Sequence, residues 1–281
     1  MVITFLKKIA WYYPKSVFAA LGLFWLVIEP IIGLTGNTIN LSYWQLFGLS
    51  ASIGVIWFIL DGIWFSGYLK NRIEITSNGF DTKIIIKFSD LFNEEGWKAI
   101  PVNDFFDSIV DDRHISSKSL HGILIKRYWG GNTNDWDQQV EEQLSDLTVT
   151  DETRPKGKTK RYKIGTAAVL RKDGDRFICV ASTHTNISNL ETKANTVDLH
   201  HAICGVLETS RSCCSNETLS IPLFGSGLSR IGLKNNILVD HILTAIFEES
   251  KKSKVTDVIQ IILPKNKRDD INLLSIKRDW S

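Results

Sequence analysis

Between Ser16 and Leu69 the chain has no lysine, arginine or histidine, and its only carboxylates there are Glu29 and Asp61. So little charge argues against a water-facing surface. Two apolar runs fill the stretch, residues 17–34 and 43–69, separated by the polar turn 35–40 (TGNTIN). A membrane-crossing helix needs about 20 mostly apolar residues, because only a closed backbone ladder can traverse hydrocarbon. Both runs approach that length, so residues 1–70 read as a transmembrane hairpin and residues 71–281 as the soluble part. The alternative is a pair of buried helices in a soluble protein. Trp25, Trp44, Trp57 and Trp64 suit a lipid boundary better than a small core.

Other absences narrow the reading. The turn has no Lys or Arg, whereas Lys7, Lys8 and Lys15 precede the first run and Lys70 and Arg72 follow the second. The positive-inside rule then places both termini in the cytoplasm, giving a multi-pass protein of the cell inner membrane. No small-residue cleavage site follows the first run, which argues against a removed signal peptide. Cysteine is sparse, and adjacent Cys213 and Cys214 make a poor disulfide framework, so the thiols read as reduced and cytosolic. Net charge is +2 with pI near 8.2, too balanced for nucleic acid to be the partner. The basic stretch 151–163 (DETRPKGKTKRYK) reads as a solvated loop. His200, His201 and Cys204 lack a second ligand pair at zinc-like spacing, so neither a metal nor a catalytic cofactor is expected.

Beyond Lys70, short strands alternate with helices. Residues 72–76, 83–88, 97–102, 165–170, 177–181, 219–223 and 258–263 read as strands. Residues 136–144, 194–211 and 236–249 read as helices. This pattern predicts an α/β domain with a parallel or mixed sheet and helices on both faces. In such sheets ligands bind at the carboxyl ends of the strands. Ser89 and Asp90 follow KIIIKF, Asn103 follows AIPV, His184 follows the strand ending FICVA, and Gly225-Ser226-Gly227-Leu228-Ser229-Arg230 follows LSIPL. The last is a candidate phosphate loop, since Gly225 and Gly227 let backbone N–H groups approach an anion while Ser226 and Ser229 add donors. It lacks the Gly-Lys-Ser/Thr ending of a nucleotide-hydrolysing loop, and a plain turn is the other reading. Asp90 also reads as a helix N-cap and His184 as a loop cap.

Taken together, KIIIKFSD (83–90), AIPVN (99–103) and SIPLFGSGLSRI (220–231) resemble a macro domain. That resemblance implies a three-layer α/β/α sandwich binding ADP-ribose, with Asp90 at the adenine, Asn103 near the distal ribose and residues 225–230 around the diphosphate. With two N-terminal spans, VNDFFD (102–107), ISSKSLHG (115–122) and IPLFGSGLSRIG (221–232), the chain is similar to the membrane-anchored macro-domain effectors of the Thoeris antiphage system. The resemblance implies a partner TIR-domain enzyme that consumes NAD and makes an ADP-ribose-derived messenger, here histidine-linked ADP-ribose. Binding would drive homo-oligomerisation, membrane disruption and abortive infection. The usual Asn-Ala-Ala-Asn run and glycine triplet are missing, and Ser119-Leu120-His121-Gly122 stands in for that loop. Ser119, His121 and Gly122 would then line the distal ribose, and no catalytic residue is assigned. The rival readings are a membrane-tethered ADP-ribosyl hydrolase and a constitutive ADP-ribose-binding module.

Overall fold

The computed structural model describes residues 2–35, 42–65, 67, 69–77, 79–130, 132–227 and 231–281. They form two compact units, Met1–Asn71 with Asn272–Leu274, and Arg72–Ile271 with Ser275–Ser281.

The first unit is helical. Helix α1 (Val2–Thr35) is followed by α2 (Tyr43–Leu60), which runs on into a π-helical turn, Asp61–Phe65. Ser42 starts α2 with a capping box, its side chain accepting from Gln45 N while the Gln45 side chain accepts from Ser42 N. The two helices pack on each other, with Tyr13 and Phe58 meeting edge-on at 5.6 Å. Tyr13–Leu34 and Phe47–Trp64, with mean hydropathies of 2.2 and 1.6, are long and apolar enough to cross a membrane by length and composition. Trp25, Trp44, Phe47 and Trp64 are exposed on them. The second helix stops at Phe65, short of the end of the apolar run at Leu69. Most of the turn between the helices lies outside the described residues.

The second unit is built on one sheet. Its strands are β1 (Arg72–Ser77), β2 (Phe80–Phe88), β3 (Trp97–Asn103), β4 (Thr150–Asp151), β5 (Lys160–Arg161), β6 (Ala167–Lys172), β7 (Asp175–Thr185), β8 (Thr192–Lys193), β9 (Leu219–Pro222) and β10 (Val258–Leu263). Its helices are α3 (Leu120–Tyr128), α4 (Asn134–Leu144), α5 (Thr196–Cys213), α6 (Asn235–Lys252) and α7 (Leu273–Trp280). The main order is β1-β2-β10-β9-β3-β7-β6, with β8 beside β7 and a separate β4–β5 pair. The five central strands are mutually parallel, and β1 and β6 close the ends antiparallel.

Parallel strands covered on both faces need apolar residues at successive positions, and Ile84, Ile85 and Ile86 are all buried. Period-two alternation sorts the rest. Ile100, Val102, Phe177, Cys179 and Ala181 face a core closed by Leu124, Trp129, Trp136 and Val140 of α3 and α4. The opposite face is covered by α5 and α6, whose Leu199, Ala202, Ile203, Val206, Ile242 and Ile246 repeat at helical spacing. The result is the three-layer α/β/α sandwich expected from the sequence.

The stretch 151–163 is solvated over most of its length, as its composition suggests, but two of its residues turn inward. Arg154 and Asp107 are both buried, and the Arg154 guanidinium donates to both Asp107 carboxylate oxygens at 3.1–3.2 Å and to the Lys158 carbonyl at 2.8 Å. Tyr162 is buried with them. The physical reason is Asp107 itself, a carboxylate carried into the interior just past β3, which requires a charged partner.

Candidate functional site

The parallel strands all end on one side, and a cleft of about 670 Å³ opens there. Along the sheet its floor is supplied by Ser89 and Asp90 after β2, Pro264–Lys267 after β10, residues 223–227 after β9, Asn103 at the end of β3, and Ser182 and Thr183 of β7. Its wall is the segment 114–121 leading into α3. Topology therefore brings together six stretches from distant parts of the chain.

Asp90 lines the cleft and also caps the short 3-10 turn Leu91–Asn93, its Oδ1 accepting from Phe92 N at 3.1 Å. The N-cap reading of this residue is thus observed, at a position that also lines the cleft. Asn103 lines the cleft, but its amide is committed inward. Its Nδ2 donates to Asp107 Oδ2 at 3.0 Å, and its Oδ1 accepts from Asp107 N at 3.1 Å. The buried Asp107–Arg154 pair thereby fixes the Asn103 side chain.

Ser119 is the N-cap of α3, accepting from Gly122 N at 3.0 Å and donating to the Ser116 carbonyl at 2.7 Å. Gly122 is required by close approach, since a Cβ there would lie 2.2 Å from Ser116 O. His121 lines the cleft with its ring against Trp136, centroids 5.5 Å apart, and its Nε2 is buried with no hydrogen-bond partner. Burial pushes the His121 pKa down to about 3, so the imidazole is neutral.

Gly225 has φ +82°, and Ser226 closes the turn by donating from Oγ to the Leu223 carbonyl at 2.8 Å. Gly227 lines the cleft, with open space where its Cβ would be. Leu228, Ser229 and Arg230 lie outside the described residues. His184 does not line the cleft. Its Nε2 lies 3.2 Å from Asp198 Oδ1 and its Nδ1 3.7 Å from Asp104 Oδ2, so it bridges the end of β7 to the start of α5. Asp104 is fully buried there; burial raises its pKa, opposed by the Thr185 N–H bond at 3.0 Å and nearby Arg161.

Sequence reasoning missed Pro264–Lys267. The strand-end rule applies to β10 as much as to the others, and it lies between β2 and β9 rather than at an edge. Lys265 and Lys267 reach the cleft from that segment, and Lys118 from its wall. None of the three closes an ion pair among the described residues. Most lysines elsewhere on this unit do, among them Lys83, Lys87, Lys98, Lys158, Lys160 and Lys172.

The macro domain of Thoeris protein ThsA, as a family model, matches residues 84–264. Thoeris protein ThsA of Bacillus amyloliquefaciens (strain Y2) is 30% identical over 246 residues, spanning 83% of this chain and 76% of that protein. The chain belongs to the ThsA macro-domain family. Among solved structures, the Oceanobacillus iheyensis macrodomain with MES bound has a TM-score of 0.49 at 12% identity, covering 74% of this chain and 95% of that one. The same macrodomain with ADP has a TM-score of 0.47, again at 12% identity, covering 75% and 95%. Membership of the ThsA family gives the macro fold to the second unit and an antiphage context to the whole chain.

Proposed function

We propose that the chain is a membrane-anchored antiphage effector whose cytoplasmic macro domain binds an ADP-ribose-derived signal, histidine-linked ADP-ribose in particular, made by a TIR-domain partner. The observation that carries the reading is the composition of the cleft. A carboxylate stands at one end, a glycine turn with positive φ in the middle, and beside them three ammonium groups that close no ion pair among the described residues. Asp90 has an oxygen for an adenine amino group, Gly225 and Gly227 expose backbone N–H groups to a diphosphate, and Lys118, Lys265 and Lys267 supply its counter-charge. Ser119 and His121 border the distal ribose and what it carries, while Gly122 does not line the cleft and instead lets the turn before α3 close on Ser116.

Binding rather than hydrolysis fits the remaining groups. Asn103, the residue best placed to hold a water near the distal ribose, is tied to Asp107, and His184 is held between two carboxylates away from the cleft wall. Output is assigned to the apolar hairpin. One pair of helices encloses no aqueous path, so damage to the membrane requires several copies. A ligand drives that assembly only through a higher affinity for the assembled state. The test is a titration of the full chain in detergent with ADP-ribose and its histidine conjugate, beside Asp90→Ala. Saturable binding weakened by that substitution is expected, and the lack of binding to any ADP-ribose derivative would overturn the reading.

A further inference from the structure

The central sheet has two edges, and the structure closes one of them. At β6, Gln139 of α4 takes the place of a neighbouring strand. Its Oε1 accepts from Arg171 N at 2.9 Å and its Nε2 donates to Arg171 O at 3.1 Å. A side chain so placed blocks another chain from pairing there.

Among the described residues, no strand of the second unit pairs with the opposite edge. Strand β1 has β2 as its neighbour in the sheet. Ile73 and Ile75 are 4% and 0% exposed, opposite Ile86 and Ile84 of β2. Lys83 N and Ser89 N of β2 donate to Asp257 O and Leu263 O on the β10 side, so the alternate residues Ile84 and Ile86 turn their backbone groups toward β1, where they meet those of Ile75 and Ile73. The direction of these groups alternates along a strand, so Arg72 and Glu74, ahead of the register shift between Ile75 and Ser77, turn theirs outward. Among the described residues no backbone bond reaches those outward groups. The Arg72 and Glu74 side chains share one face, 52% and 42% exposed and 2.6 Å from each other.

We propose that β1 is the self-association strand of this protein: two copies pair their β1 strands antiparallel about a two-fold axis at Ile73, joining their sheets. Charge selects this register. With the axis at Ile73, Arg72 of each copy faces Glu74 of the other, and both are residues whose backbone groups point outward. An axis at Glu74 sets two glutamates against each other, and an axis at Ile75 sets Glu74 against Thr76. Opposite charges directly across a ladder attract and like charges repel. A two-fold pairing is also self-limiting, because it uses up the β1 edge of both copies while Gln139 keeps the other edge closed. In sequence β1 begins two residues after Lys70, directly behind the apolar hairpin, so pairing at β1 gathers two hairpins. The proposal supplies the dimer interface within the larger assembly of the function above and does not depend on what the cleft binds.

The test uses differently tagged full-length chains carrying Arg72→Cys or Glu74→Cys, co-expressed in one membrane and mildly oxidised, with and without ADP-ribose and its histidine conjugate. Directly paired residues lie about 5.5 Å apart at Cα, within disulfide reach, whereas two copies of residue 72 lie about 7–8 Å apart on the diagonal. A mixed disulfide between the two variants, at least about fivefold above either variant alone, is the expected result. Its absence with and without ligand, or equal cross-linking in every combination, overturns the proposal. Charge reversal checks the register independently. Arg72→Glu and Glu74→Arg should each reduce association by light scattering, and the double exchange should restore it; a double variant no better than the singles counts against the pairing. Calorimetry on these variants separates the two readings, since loss of all ADP-ribose binding with pairing intact removes the function and leaves the interface.

Discussion

His121 ties the site to a stability that depends on pH. Its side chain is buried against Trp136, and burial lowers its pKa to about 3 from an ordinary 6.5. The unfolded chain takes up a proton as pH falls below about 6.5, while the folded chain does not until near 3. Between those values the unfolded state binds more protons, so this contribution is full above pH 6.5 and is lost on acidification. From pH 7 to pH 5 the loss is about 2 kcal/mol, or about 25-fold in the local opening equilibrium. His121→Phe keeps an aromatic ring against Trp136 and has no proton to take up. Amide hydrogen exchange of full-length protein in detergent, read over α3 and α4 at both pH values and corrected for intrinsic exchange, measures the difference. Wild type should lose about 25-fold more protection than the variant over this range. Parallel losses in the two proteins would refute a buried neutral imidazole.

The buried pair behind Asn103 makes a second prediction. Arg154→Met leaves the Asp107 carboxylate buried without its partner and should cost about 3–5 kcal/mol in local stability, whereas adding Asp107→Leu recovers only part of that loss, because Asn103 Nδ2 and Lys158 N then lose their acceptor, both read by hydrogen exchange over residues 97–110. The two glycines of the cleft should behave differently. Gly225→Ala, at φ +82° and with its Cβ 2.8 Å from Ile231 Cδ1, should destabilise by about 1–3 kcal/mol in thermal melts. Gly227→Ala, with open space at its Cβ, should stay within about 0.5 kcal/mol of wild type. Replacing Lys265 and Lys267 together by Ala should weaken ADP-ribose binding by about tenfold at low salt and by less at high salt, as calorimetry at two ionic strengths would show.

The frame was largely legible from the chain because its signals are local. A stretch with only two charged side chains and two apolar runs gives two long helices, and the isoleucines of KIIIKF give a strand buried on both faces. The predicted strand at residues 258–263 matches β10 as observed. What was hidden depends on sequence separation. Arg154 reads as part of a solvated basic loop until the fold sets it against Asp107, 47 residues earlier, and only then is a charge in the interior accounted for. The place of β10 between β2 and β9 is set by crossovers that no local pattern records, and with it the access of Lys265 and Lys267 to the cleft. His184 reads as following a strand that ends at residue 181, but β7 runs on to Thr185, and Asp198 in the first turn of α5 draws the imidazole aside. Gln139 reads as one more polar helix residue, and its role appears only where α4 passes the edge of β6.

The central claim is that a ligand in the macro-domain cleft switches on the hairpin. It is tested most directly by reconstituting the full chain into liposomes loaded with a self-quenched dye and adding the histidine conjugate of ADP-ribose on the side of the macro domain. The account predicts dye release that saturates with ligand and is lost in Gly225→Val, whose side chain would crowd Ile231 and Leu238 at the turn of the cleft. Release that is the same with and without ligand, in protein shown by calorimetry to bind it, would contradict the account.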